Sequence, residues 1–192
     1  TEGEILVNGV DIRQYDYEEY LSIFAPVFQD YKLFAFTVGE NICSFGDGNH
    51  EKVKEAARKS GIDGKIMQLP GKYETFLTKQ FDEGGVEFSG GEQQKIALAR
   101  TYCKTRALIT ILDEPTSALD PRAEHALYQE FNDLIGERTA FFISHRLASA
   151  KFCDKIIVIK DKRVSEYGSH AELMQRDGYY HMLYDMQACY YQ

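Results

Sequence analysis

No stretch of these 192 residues approaches the ~20 consecutive apolar residues that a membrane-spanning helix requires. The opening Thr1-Glu2-Gly3-Glu4 has neither the basic start nor the apolar run of a secretory signal. Cysteine is scarce and scattered: Cys43, Cys103, Cys153 and Cys189 form no CxxC pair. That spacing predicts reduced cytosolic thiols and argues against a zinc site or a disulfide framework. Positive charge is in deficit, with 22 Lys and Arg against 30 Asp and Glu and a formal net charge of -8. Such a balance disfavours non-specific nucleic-acid binding, which needs cations to neutralise phosphates. No internal repeat or low-complexity linker is visible. What remains, 44% hydrophobic and 27% charged residues in 22.0 kDa, describes one soluble, cytosolic domain able to bury a substantial core.

Along the chain, Glu4 to Ile12 alternates apolar and polar residues around Asn8-Gly9, which predicts a β-hairpin. A short apolar stretch ends at Gln29-Asp30. From Val38 to Tyr102 the pattern is mainly helical, with Val53, Ala56 and Ala57 on one face of a charged helix. Gly61 to Glu87 is loop-rich. After Thr105 the character changes. Ala107 to Leu112 is a nearly continuous apolar run, suited to a strand covered on both faces. Asp120-Pro121 opens a predicted helix striped with Ala123, Ala126, Leu127, Phe131 and Leu134. Thr139–Ser144 and Lys155–Lys160 are expected as buried strands, separated by a helix from Arg146 to about Phe152. This alternation predicts an α/β layer with parallel strands. Ser169 and Glu172 form a capping box for the last helix, whose expected face carries Tyr179, Leu183, Met186 and Tyr190.

Two stretches carry chemistry. In Ile111-Leu-Asp-Glu-Pro115, adjacent carboxylates follow a buried strand, at the end where open α/β sheets place ligands. Pro115 disfavours a helical conformation at Glu114, so both acids stay at the strand tip. There Asp113 is suited to Mg2+, directly or through water, and Glu114 to polarising a water for attack on phosphorus. An acidic turn that merely caps a strand is the plainer alternative. In Phe88-Ser-Gly-Gly-Glu-Gln-Gln-Lys-Ile-Ala-Leu-Ala-Arg100, Ser89 and two glycines open a helix whose free N–H groups suit a phosphate. Here the plainer alternative is a Ser89–Glu92 capping box on a surface helix.

Together these stretches resemble the signature and Walker B motifs of ATP-binding-cassette (ABC) ATPases, and the resemblance extends over nearly the whole chain. Gln29 in Val27-Phe-Gln-Asp30 resembles the Q-loop glutamine, which in that family senses Mg2+ and touches the membrane domain. Ser117-Ala-Leu-Asp120 is similar to the D-loop, and His145 in Ile143-Ser-His-Arg146 to the switch histidine facing the γ-phosphate. The resemblance implies a P-loop NTPase-like α/β cassette with a mainly parallel sheet. Residues 1–37 and 103–192 would form the catalytic core, and 38–102 an inserted helical signature subdomain. It further implies that two cassettes close head to tail around two ATP molecules. Gln29, Asp113, Glu114 and His145 would then serve the chain's own nucleotide, while Ser89, Gly90, Gly91 and Glu92 serve the partner's. Gln29 and Asp113 would hold Mg2+, and Ser117 and Asp120 would line the ATP site.

The sequence departs from the family pattern in two places. Glu92 stands where the family more often has Gln, adding a carboxylate near a phosphate site. No G-x-x-x-x-G-K-[ST] segment occurs, so the loop that wraps the phosphates and the strands around it are expected to be missing. An incomplete sheet with exposed apolar surface follows, along with poor ATP binding and scant hydrolysis by this segment alone. Lys32 to Ile42, Asp82-Glu83-Gly84, Ser144 to Ser149 and Tyr167 to Leu173 are similar to exporter segments. They imply an ATP-driven exporter at the cytoplasmic face of the cell membrane, partnered by a transmembrane domain and a second cassette. The alternatives are a soluble, non-transporting ABC ATPase and a catalytically deficient remnant.

Overall fold

Asn8 and Gly9, both at positive φ (52° and 80°), turn strand β1 (Leu6–Val7) back onto β2 (Val10–Asp11), as the Asn-Gly pair predicts. The computed structural model describes residues 3–43, 49–78, 84–115, 135–136 and 138–190. The expected helix after Asp120 lies outside them. The chain divides into two compact units, Thr1–Phe141 and Phe142–Gln192.

In the first unit, Asp16 caps α1 (Tyr17–Ser22) by accepting from the Glu18 and Glu19 amides, and the chain then enters β3 (Phe24–Val27). β3 pairs in parallel with β4 (Ile109–Asp113), with Phe24 opposite Ile109 and Val27 opposite Leu112. The sheet order is β3-β4-β5, where β5 is Thr139–Ile143. Thr110 and Leu112 are wholly buried, but Ile109 and Ile111 are half-buried and Leu108 is exposed, so the run is fully covered on one face and not on both as expected.

Between β3 and β4 the chain is helical. It forms α2 (Val38–Ile42), α3 (His50–Lys59), α4 (Asp63–Ile66) and α5 (Gly90–Cys103), with a short 3-10 turn at Lys72–Glu74. Val53, Ala56 and Ala57 do line the buried face of α3. They join Val38, Ile42, Ile62, Ile66, Leu77, Phe88 and Ile96 in one apolar core. Arg100 ties the segment after β3 to α5. Its guanidinium donates to the carbonyls of Asn41 (2.7 Å) and Lys32 (2.9 Å). The expectation of four unpaired thiols is corrected here, because Cys43 and Cys103 form a disulfide with Cα atoms 5.8 Å apart. Cys43 ends α2 and Cys103 ends α5, so packing of those helices joins two residues 60 apart in sequence.

The second unit holds most of the corrections. The helix expected after β5 is present, as the 3-10 helix Leu147–Phe152. β6 (Ile156–Lys160) pairs with an antiparallel β7 (Arg163–Gly168) that the sequence reading omits. Neither β5 nor β6 is the buried strand expected. Phe141, Ile143, Ile157 and Ile159 are exposed, and of β6 only Val158 is buried. The predicted last helix is two helices, α6 (His170–Gln175), which carries the Ser169–Glu172 capping box, and α7 (Tyr179–Tyr190). Asp177, at φ 50°, breaks them apart. The buried face of α7 is also turned by one residue from the expected one: Tyr180 is buried, whereas Met186 is exposed.

Candidate nucleotide site

Because β3 and β4 are parallel neighbours, their carboxyl ends lie side by side. Val27 and Leu112 are the last paired residues, and two positions further on stand Gln29 and Glu114. The structure thus brings Gln29 and the Asp113–Glu114 pair to one edge of the sheet, where α/β folds bind ligands. Gln29 is exposed, and both acids are half-buried. Glu114 has φ 46°, a left-handed conformation that costs a non-glycine residue about 1–2 kcal/mol. Pro115, buried behind it, rules out the helical alternative.

The oxygen donors of Asp113 and Gln29 suit a hard divalent cation. No group of three or more His, Cys, Asp or Glu placed to hold a metal occurs among the described residues. Two protein oxygens at an open edge fit Mg2+, which keeps several waters and shares the phosphates of its nucleotide.

Ser89 caps α5 as expected. Its hydroxyl accepts from the Glu92 amide at 3.4 Å, while the Glu92 carboxylate accepts from the Ser89 amide at 2.9 Å. The capping box and the glycine-rich helix start are therefore one structure, not alternatives. Glu92 is folded back on this turn and also meets the Lys65 ammonium at 3.3 Å. Partial burial opposes ionisation of its carboxyl, but the hydrogen bonds of Ser89 and the Lys65 charge outweigh that and hold it below the usual range. The extra carboxylate of this signature is thus internally engaged. Ser89 and Gly90 are exposed at the helix start, and Gly91 is half-buried. The Tyr31 hydroxyl, two residues beyond Gln29, donates to the Gly90 carbonyl at 3.0 Å. This bond links the Gln29 loop to the glycine-rich turn. Only the long sequence separation hid it; a tyrosine beside the Q-loop motif was the available signal.

His145 belongs to the second unit, directly after β5, and is exposed. Its carbonyl accepts from the Gln187 side-chain amide at 2.6 Å. Ser117 and Asp120 lie outside the described residues, as do Asp82 and Glu83.

The ABC transporter family model matches residues 1–117. The chain belongs to the ABC transporter family. It is 40% identical over 190 residues to the mitochondrial iron-sulfur clusters transporter atm1 of Aspergillus fumigatus, covering 97% of this chain and 25% of that protein. It is 39% identical over 189 residues to the ATP-dependent lipid A-core flippase of Legionella pneumophila strain Lens, covering 97% of this chain and 31% of the flippase. The structure of a bacterial Atm1-family ABC exporter with ATP bound superposes with a TM-score of 0.86 at 36% identity, over 97% of this chain and 32% of that one. The chain thus spans about a third or less of the length of the relatives it matches. The cassette fold of these relatives is the fold of this chain. No helix among the described residues is long and apolar enough to cross a membrane.

Proposed function

We propose that this sequence is the ATP-binding and hydrolysing cassette of an ABC exporter. On this reading, the full polypeptide uses ATP-dependent closure of two cassettes at the cytoplasmic face of the membrane to drive its transmembrane domain. The observation that carries the reading is the convergence of Gln29, Asp113 and Glu114 at the carboxyl ends of two adjacent parallel strands. Glu114 is the general base, orienting and polarising the attacking water, a role worth about 10²–10⁴-fold in rate. His145 contacts the γ-phosphate. Asp113 and Gln29 would hold Mg2+, which when bound neutralises charge on the phosphate oxygens. Ser89, Gly90 and Gly91 present the start of α5 to the ATP of the opposite cassette, with Glu92 holding that turn in shape. Ser117 and Asp120 line the same interface. Residues 1–37 and 103–192 act as the catalytic core and 38–102 as the signature subdomain.

The test is ATPase and ATP-binding measurement on the purified full polypeptide in membrane-like nanodiscs. Glu114→Gln should lower hydrolysis at least about 10²-fold while ATP binding persists. Retained hydrolysis would remove Glu114 from its role. Full activity in a species that does not associate with membranes would replace the exporter reading with a soluble ATPase.

A further inference from the structure

The 3-10 helix that follows His145 starts at Leu147, yet its N-cap, Arg146, makes no side-chain cap hydrogen bond. The Leu147 amide is one of the orphan donors of a helix start, and it needs a partner from elsewhere. Gln187, on α7 and 40 residues away in sequence, supplies one: its Oε1 accepts from the Leu147 amide at 2.8 Å. The other half of the same amide, Nε2, donates to the His145 carbonyl at 2.6 Å. One side chain therefore grips the backbone on both sides of Arg146. Local contacts complete the hold. The Ser144 hydroxyl accepts from the Arg146 amide at 2.9 Å, and the Ser149 hydroxyl donates to the Arg146 carbonyl at 2.5 Å.

We infer that Gln187 is a positioning residue for His145, fixing the switch segment so that the imidazole is delivered to the γ-phosphate in one orientation. The inference rests on the role proposed above for His145. A primary amide suits the task because it offers a donor and an acceptor at once. Leucine, of similar size, offers neither; glutamate keeps the acceptor for Leu147 but sets an oxygen against the His145 carbonyl. Gln187 touches no reacting atom, so its loss should act through the orientation of His145 and not through nucleotide affinity.

The experiment is steady-state ATPase on the full polypeptide, with rates expressed per nucleotide-binding site. Gln187→Leu should lower kcat about tenfold, the scale of losing two ordinary hydrogen bonds, with KM for ATP held within about twofold. Gln187→Glu should fall between Gln187→Leu and the parent, and serves as the readout if the leucine variant fails to fold. His145→Ala is measured beside them. If His145→Ala loses activity but kcat per site is unchanged in both Gln187 variants, or KM rises as much as kcat falls, the positioning role is overturned and the histidine role stands. If His145→Ala retains full kcat, the histidine role falls and takes the inference with it.

Discussion

The helical part of the first unit and the second unit are held together by different means. Among the described residues, fourteen buried ones from α2, α3, α4, α5 and their connections make one continuous apolar core, and a disulfide crosses it. Among the described residues of the second unit, Val158, Leu173 and Tyr180 form a smaller buried apolar cluster. There, side chains bonded to backbone take up the structural work. Glu166 on β7 accepts from the Tyr179 and Tyr180 amides at 2.5 and 3.2 Å, capping α7 from another element. Gln187 caps the 3-10 helix in the same borrowed fashion. The Tyr180 hydroxyl meets His170 Nδ1 at 2.8 Å, and burial pushes that phenol up to about 12. The lesson is mechanical. Helix α5 sits on a core, whereas the segment around His145 is placed by a few hydrogen bonds that can be broken one by one.

The comparison is sharpened most by removing the disulfide. Closing a 60-residue separation stabilises the folded chain by about 4 kcal/mol in the loop-entropy account. Replacing both Cys43 and Cys103 by alanine should lower hydrogen-exchange protection of α2 and α5 by that order, leaving α7 unchanged. Equal loss in α7 would erase the distinction between the regions. A smaller effect is expected in the opposite place. Glu166→Ala leaves the first amides of α7 without their cap and should cost about 1–2 kcal/mol of protection confined to α6 and α7. Gly178 is part of that device, since a Cβ there would stand 2.5 Å from Glu166 Oε1. Loss spreading to α5 would show that the borrowed caps support more than their own unit.

The same contrast decides what the sequence discloses. Periodicity places Val53, Ala56 and Ala57 in the core, Asn8-Gly9 in a hairpin and Ser89 at a cap, because each depends on neighbours in the chain. The strand-end acids and Gln29 are legible for a similar reason, as short motifs on predicted elements. The β6–β7 hairpin is not. It turns through Asp161 and Lys162, both at positive φ (50° and 63°), a pair without the Asn-Gly signal. Nor are the disulfide, the Tyr31–Gly90 bond or the Gln187 bridge, each made across 40 or more residues. The apolar runs of β5 and β6 mislead in another way, since an apolar strand predicts burial and here Ile143 and Ile159 are exposed.

The smallest effect belongs to the margin of the first unit, where Asp11 caps only the short 3-10 helix Ile12–Gln14. At the β1–β2 hairpin, Asp11 accepts from the Arg13 side chain at 2.9 Å (Nε) and from the Arg13 amide at 2.9 Å. Those bonds, the side-chain one foremost, hold its carboxyl at about 2, well below the ordinary range. A depressed carboxyl favours the folded state above the unfolded value and loses that contribution as pH falls through the folded one. The contact should thus be intact at neutral pH and fade only between about pH 4 and pH 2. Carboxyl NMR titration should return a midpoint near 2 for Asp11 and a value raised toward the ordinary range in Arg13→Ala, which keeps the backbone bond. Because Arg13 lies on the surface, with Asp11 half-buried beside it, Arg13→Ala should leave hydrogen exchange in α5 and α7 alike unchanged. A drop in α5 protection would mean that the hairpin braces the helical core, and that the first unit, too, depends on polar ties at its edge.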